Sequence, residues 1–189
     1  PAVQDAVMVQ IATPSRERLG SYRRMREQIE QQVGALNGDY GRIGRPAVHY
    51  LHQSLPREEL AAFYVAADVM TVTPFRDGMN LVAKEYVAAQ DPDDPGVLLI
   101  SPMAGAAREL TGALQVNPYD RAGMAIALQT ALHMPLADRR PGGTASRSSD
   151  SRRPRGQPPA APPRTGPVTA LAFQPGSGRW FRFRRLVEA

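Results

Sequence analysis

Two rhythms of apolar residues alternate along this chain. Short segments of four or five residues rich in apolar side chains, such as Val7-Met8-Val9-Gln10-Ile11, Val48-His49-Tyr50-Leu51, Val69-Met70-Thr71-Val72-Thr73 and Val97-Leu98-Leu99-Ile100-Ser101, have the length and branching of buried strands. Between them, apolar residues recur every three or four positions. Leu19, Tyr22, Met25, Ile29, Val33 and Leu36 predict an amphipathic helix ending at Asn37-Gly38, its outer face a solvated surface of Arg23, Arg24, Arg26, Glu27 and Glu30. Leu55-Pro56-Arg57-Glu58-Glu59 opens a second helix, with proline and acid in its first turn and a buried stripe of Leu60, Phe63, Tyr64 and Ala67. A third is expected from Asn80 to about Gln90, a fourth to open on the small residues of Ala104–Leu110, and a last one from Tyr119 to His133, after a short strand at Leu114-Gln115-Val116. Five strands alternating with helices through short loops predict an α/β fold, a Rossmann-like parallel sheet covered on both faces. Ligands of such sheets bind at the carboxyl ends of the strands.

One of those ends carries distinctive chemistry. In Thr71-Val72-Thr73-Pro74-Phe75-Arg76-Asp77-Gly78-Met79-Asn80-Leu81-Val82-Ala83-Lys84-Glu85-Tyr86, a strand breaks at a proline, turns on Asp-Gly and enters a helix at Asn80. The first amides of that helix have no intrahelical acceptor and its dipole is positive there, which suits an anion such as a diphosphate. Asp77 and Glu85 stand at the rim and on the helix, placed to accept hydrogen bonds from hydroxyls. The same letters also describe an ordinary turn and cap, and spacing alone leaves both readings open.

Charge changes the picture of the chain's second part. Residues 1–138 hold 12 basic and 16 acidic residues, whereas residues 139–189 hold 11 arginines against Asp150 and Glu188, so balances of −4 and +9 make up the net +5. The basic character belongs to the tail, not to the α/β body, and argues poorly for a nucleic-acid-binding domain. From Pro141 the sequence turns to Pro, Gly, Ser, Arg and Ala without periodicity, and the chain divides into an ordered region, 1–140, and a low-complexity tail, 141–189, expected to be disordered. With 22 arginines and one lysine, Lys84, such a switch is what a GC-rich gene read in a shifted frame would yield. The closing Trp180-Phe181-Arg182-Phe183-Arg184-Arg185 alternates aromatic and basic residues in the manner of a single-strand nucleic-acid or membrane-surface contact, a signal too short to weigh against a bland tail. No cysteine is present, and His49, His52 and His133 are too scattered for a metal cluster, so neither disulfide nor metal is expected. No segment reaches the length of a membrane span, and a cytoplasmic location is expected.

Residues 76–88 resemble the donor-site signature of the α,α-trehalose-phosphate synthases (UDP-forming), a family of retaining glycosyltransferases. Gln10-Ile11-Ala12-Thr13-Pro14-Ser15-Arg16, Asn37-Gly38-Asp39-Tyr40-Gly41, Glu85-Tyr86-Val87-Ala88-Ala89-Gln90, Pro102-Met103-Ala104-Gly105-Ala106-Ala107-Arg108-Glu109-Leu110 and Val116-Asn117-Pro118-Tyr119-Asp120 are similar to further segments of that family in the same order, over about residues 6–140. The resemblance implies a GT-B enzyme of two Rossmann-like domains, of which this chain is the C-terminal, donor-binding half, transferring glucose from UDP-glucose to glucose-6-phosphate. By that resemblance the amides from Gly78 through Met79, Asn80 and Leu81 to Val82 face the diphosphate, and Asp77 is the catalytic-site carboxylate that bonds a glucose hydroxyl. Glu85 takes the ribose hydroxyls, Leu55 offers its backbone to the uracil, and Arg16 grips the acceptor's phosphate. No cofactor, metal, membrane or nucleic acid is implied, and self-association stays open. The leaving phosphate is thought to help deprotonate the acceptor, so a glycosidase-like carboxylate pair is not required.

Two features depart from the family. Its arginine and lysine donors to the diphosphate, and its acceptor domain, lie in a segment preceding this one, so the isolated chain is expected not to turn over. The family's closing helix cannot form from Pro141 onward. The alternatives are a non-catalytic remnant that binds a nucleotide sugar and a family member with another donor or acceptor. On the residues alone, His49 reads as a packed strand histidine, His52 as a loop residue, and Asp93 and Asp94 as a turn.

Overall fold

The computed structural model describes residues 6–14, 20–139 and 169–173. Its strands are β1 (Val7–Ile11), β2 (Val48–Leu51), β3 (Val69–Val72), β4 (Val97–Ile100), β5 (Leu114–Gln115) and β6 (Thr169–Phe173), and its helices α1 (Gly20–Tyr40), α2 (Arg57–Ala66), α3 (Leu81–Ala89), α4 (Arg121–Leu132) and α5 (Leu136–Arg139). The six strands form one sheet in the order β2-β1-β6-β3-β4-β5. β1 pairs with β2, β3 with β4, and β4 with β5, all parallel, with Val9 opposite His49 and Met70 opposite Leu98. The expected parallel α/β sheet is present, with one added antiparallel strand.

Its core lies on both faces. Met70, Val72, Leu98 and Ile100 point to one side, where Phe63 and Tyr64 of α2 and Ala83 and Tyr86 of α3 cover them. Val69, Val97 and Leu99 point to the other, against Ala131 and Leu132 of α4. β4 therefore has no exposed residue, as a continuous apolar run requires. β1 is covered on one face only: Val7, Val9 and Ile11 are buried while Met8, one step out of phase, is exposed.

Four expectations need correction. α1 does not end at Asn37-Gly38 but runs to Tyr40, and the turn closes with the Gly41 amide on the Asn37 carbonyl at 3.0 Å. The Asn37 side chain is turned instead to the sheet, where it accepts from the Val48 amide (2.8 Å) and donates to the Val48 carbonyl (2.9 Å). The apolar stripe of α1 is not buried: Tyr22, Met25 and Leu36 are exposed and no residue of the helix is buried. The small-residue segment Ala104–Leu110 makes one 3-10 turn, Gly105–Arg108, not a longer helix, and its first amides, those of Gly105 and Ala106, bond the neighbouring loop at Asp77 and Met79. Finally, the tail contributes a strand, Thr169–Phe173, a short apolar run without charge, proline or glycine. The Trp180–Arg185 motif lies outside the described residues.

Candidate active site

β3 and β4 end side by side, and the loops leaving them are stitched together. The Asp77 amide donates to the Met103 carbonyl (3.2 Å), the Gly105 amide to the Asp77 carbonyl (3.2 Å) and the Ala106 amide to the Met79 carbonyl (2.7 Å). Asp77 and Ala104 form an isolated parallel bridge. The backbones approach so closely that a Cβ on Gly105 would stand 2.1 Å from the Gly78 carbonyl oxygen, so this position admits only glycine.

Within that frame the first loop is organised by its own side chains. Asn80 has φ 65° and ψ 79°, a left-handed conformation that asparagine tolerates better than most residues. It caps α3, its side-chain oxygen accepting from the Ala83 amide at 3.0 Å, while its side-chain nitrogen donates to Asp77 Oδ2 at 3.0 Å. Asp77 Oδ1 accepts from the Met79 amide at 3.2 Å. The half-buried Asp77 carboxylate is thus held in orientation, and each of its oxygens keeps lone-pair capacity for a further donor.

The expected row of anion-facing amides from Gly78 to Val82 needs one correction. Met79 directs its N–H to Asp77, since the Asp-Gly-Met turn brings the two together. The amides of Leu81 and Val82, in the first turn of α3, have no intrahelical acceptor and lie at the positive end of the helix.

An open cleft of about 440 Å³ lies before these loops, lined by Asp77, Gly78 and Met79 from one and Pro102–Gly105, Arg108 and Glu109 from the other. Lys84 reaches across from α3 and holds both carboxylate oxygens of Glu109, at 2.8 and 2.7 Å. That pairing takes the lysine away from the adjacent Glu85, which is half-buried one turn beyond Leu81. Arg108, exposed on the cleft wall, forms no ion pair with a described residue. It is a cleft-lining residue that sequence reasoning missed, although it stood in the Ala-Gly-Ala-Ala-Arg-Glu-Leu segment. Also unforeseen are Phe75 and Tyr119, exposed rings 4.8 Å apart that join the loops after β3 and β5.

The remaining expected positions are dispersed. Leu55 is buried ahead of α2, packed in the core. Arg16 lies outside the described residues. His49 is half-buried in β2, and burial holds its pKa below the ordinary 6.5, as for a packed neutral histidine. His52 stacks on Tyr50 with ring centroids 6.2 Å apart. Asp93 and Asp94 stand in a turn closed by the Asp94 amide on the Asp91 carbonyl at 3.2 Å. Among the described residues no three His, Asp or Glu side chains converge, and no helix is long and apolar enough to cross a membrane.

The sequence match agrees with this geometry. Residues 2–148 match glycosyltransferase family 20. The chain belongs to glycosyltransferase family 20. It is 56% identical over 136 residues to the trehalose-6-phosphate synthase of Mycobacterium avium (strain 104), covering 72% of this chain and 27% of that protein. It is 59% identical over 129 residues to that of Mycolicibacterium smegmatis, covering 68% and 25%. Among solved structures, the E. coli trehalose-6-phosphate protein bound with UDP-2-fluoro glucose superimposes with a TM-score of 0.67 at 54% identity, over 69% of this chain and 29% of that one. A UDP-forming α,α-trehalose-phosphate synthase from Burkholderia xenovorans in complex with glucose-6-phosphate gives 0.68 at 53%, over 69% and 29%. The chain spans about a quarter of the length of the curated relatives it matches.

Proposed function

We propose that this chain is the nucleotide-sugar-binding part of a retaining glucosyltransferase that moves glucose from UDP-glucose to glucose-6-phosphate, giving UDP and trehalose-6-phosphate. The observation that carries this reading is the pair of interlocked loops at the ends of β3 and β4, with the Asp77–Asn80 network in front of the first turn of α3. Relatives of known structure bind a UDP-glucose analogue and glucose-6-phosphate.

In the transfer, the bond between the anomeric carbon and the β-phosphate oxygen breaks and a bond from that carbon to the acceptor hydroxyl forms. The hydroxyl proton goes to the leaving phosphate. Charge grows on the diphosphate, so preorganised donors there stabilise the transition state more than the ground state. In this chain the donors are the Leu81 and Val82 amides, the α3 dipole and the Arg108 guanidinium on the cleft wall. Asp77, oriented by Met79 and Asn80, accepts from a glucose hydroxyl, and Glu85 accepts from the ribose hydroxyls. Leu55 and Arg16 are assigned to the uracil and the acceptor phosphate by family resemblance. Both substrates are phosphates that do not cross a bilayer unaided, which favours a cytoplasmic enzyme.

Titration calorimetry of the full chain with UDP-glucose tests the binding half of this reading. Saturable binding is expected, weakened about tenfold or more by Arg108→Ala, as for loss of one charge-assisted hydrogen bond of roughly 1.5–3 kcal/mol. No heat of binding at millimolar UDP-glucose overturns it.

A further inference from the structure

The cleft read above as a diphosphate site carries two carboxylates in its wall, Asp77 and Glu109, against one guanidinium, that of Arg108. Those three groups alone leave a negative charge in excess, and a cleft focuses such a charge against an incoming anion. Asp77 is oriented by neutral groups, the Met79 amide and the Asn80 side-chain nitrogen, which leave its charge in place. Glu109 is treated differently. Lys84 Nζ, the chain's one ammonium side chain, donates to both of its oxygens, at 2.8 and 2.7 Å. Among the described residues it is the sole ion-pair partner of Glu109.

The backbone builds this pair. The Gly105 and Ala106 amides, bonded to the Asp77 and Met79 carbonyls, draw the 3-10 turn against the loop that enters α3. Glu109 follows that turn, its amide on the Ala106 carbonyl at 3.1 Å, and Lys84 stands in the fourth position of α3, opposite it. The side chains remain 51% and 29% exposed. Ion pairs this accessible add little to stability, because water solvates each partner nearly as well. The pair does change the charge of the wall: with Glu109 neutralised, Asp77 and Arg108 balance, and the guanidinium has no carboxylate beside it competing with a ligand.

We infer that Lys84 is a positioning residue for the diphosphate that does not itself touch it. It acts through Glu109, cancelling a carboxylate that would otherwise repel the anion from Arg108 and the first amides of α3. This inference rests on the anion-binding reading of the cleft, and it separates the two cations there by task, Arg108 facing the ligand and Lys84 silencing the wall.

Calorimetry of the full chain with inorganic pyrophosphate and with UDP-glucose tests it, in the parent, Lys84→Met, Glu109→Gln and the double variant. Lys84→Met should weaken both ligands about tenfold by baring a like charge. Glu109→Gln should bind at least as tightly as the parent, and the double variant, with the parent's net charge, should return to within about threefold of it. The loss in Lys84→Met should also shrink at about 1 M salt, where charges are screened beyond roughly 3 Å, a response that a mechanical brace would not show. A double variant as weak as Lys84→Met overturns the inference, since Lys84 would then contact the anion. Equal losses in both single variants overturn it too, as the mark of a brace, and so does a parent that binds no pyrophosphate at millimolar concentration. The expected pattern with pyrophosphate alone, without UDP-glucose binding, supports the inference and defeats the UDP-glucose reading. Lys84→Gln takes the place of Lys84→Met if the latter does not fold.

Discussion

At Gly105 a single added carbon would meet the Gly78 carbonyl oxygen at 2.1 Å, whereas a Cβ on Gly78 itself would meet nothing within 4 Å. The two glycines of the cleft therefore differ in kind, although both stand in family motifs. Gly105→Ala forces the two loops apart and should cost about 1–3 kcal/mol, as overpacking does, and abolish UDP-glucose binding. Gly78→Ala should change stability by less than about 0.5 kcal/mol. Urea unfolding of both variants, with calorimetry, checks the pair. Asp77 and Asn80 illustrate the same limit of letters. Their residue types mark a turn and a cap, and their spacing was compatible with both a structural and a ligand role. In the fold the structural role is filled, since each side chain orients the other, and the ligand role of Asp77 stays a proposal that builds on that orientation.

Elements were legible where periodicity and burial agree. α2 opens after Pro56 with Glu58 and Glu59 in its first turn, and α3 starts at Asn80 and stops before Gln90, both as the sequence indicates. In α1 they disagree. Its residues recur at helical spacing, yet the helix is anchored to the sheet through Asn37 and Val48 and not through its apolar stripe. Met25→Lys, at a position 58% exposed, should thus alter stability by no more than about 0.5 kcal/mol. Asn37→Ala leaves the Val48 backbone groups unpaired and should cost about 1–3 kcal/mol. Chemical denaturation of the two variants would show the reversed order if the stripe were the anchor. The 3-10 turn at Gly105–Arg108 was misread as a longer helix because small residues suit helices, and the letters do not show that its first two amides tie it to another loop.

For the whole molecule, the two-sided burial of β4 sets the stability of the sheet. Leu98 packs under α2 and α3 and Leu99 under α4, each about 1% exposed. Leu98→Ala and Leu99→Ala should each cost roughly 2–5 kcal/mol by cavity formation, measured by denaturant unfolding. A small cost for Leu99→Ala alone would mean that α4 does not seal its face. The sequence by itself determined the alternation of strands and helices, the parallel sense of β1 to β5, the family, and the address of the cleft after β3. Those properties reside in local periodicity, in caps and in contiguous motifs, all of which act over a few residues. Only the tertiary structure decided which backbone amides are already used, that Lys84 serves Glu109 and leaves Glu85, that Arg108 faces the cleft, and that a tail strand fills the sheet between β1 and β3. These depend on contacts between residues far apart in the chain, where hydrogen bonding and close packing are settled by what arrives from elsewhere.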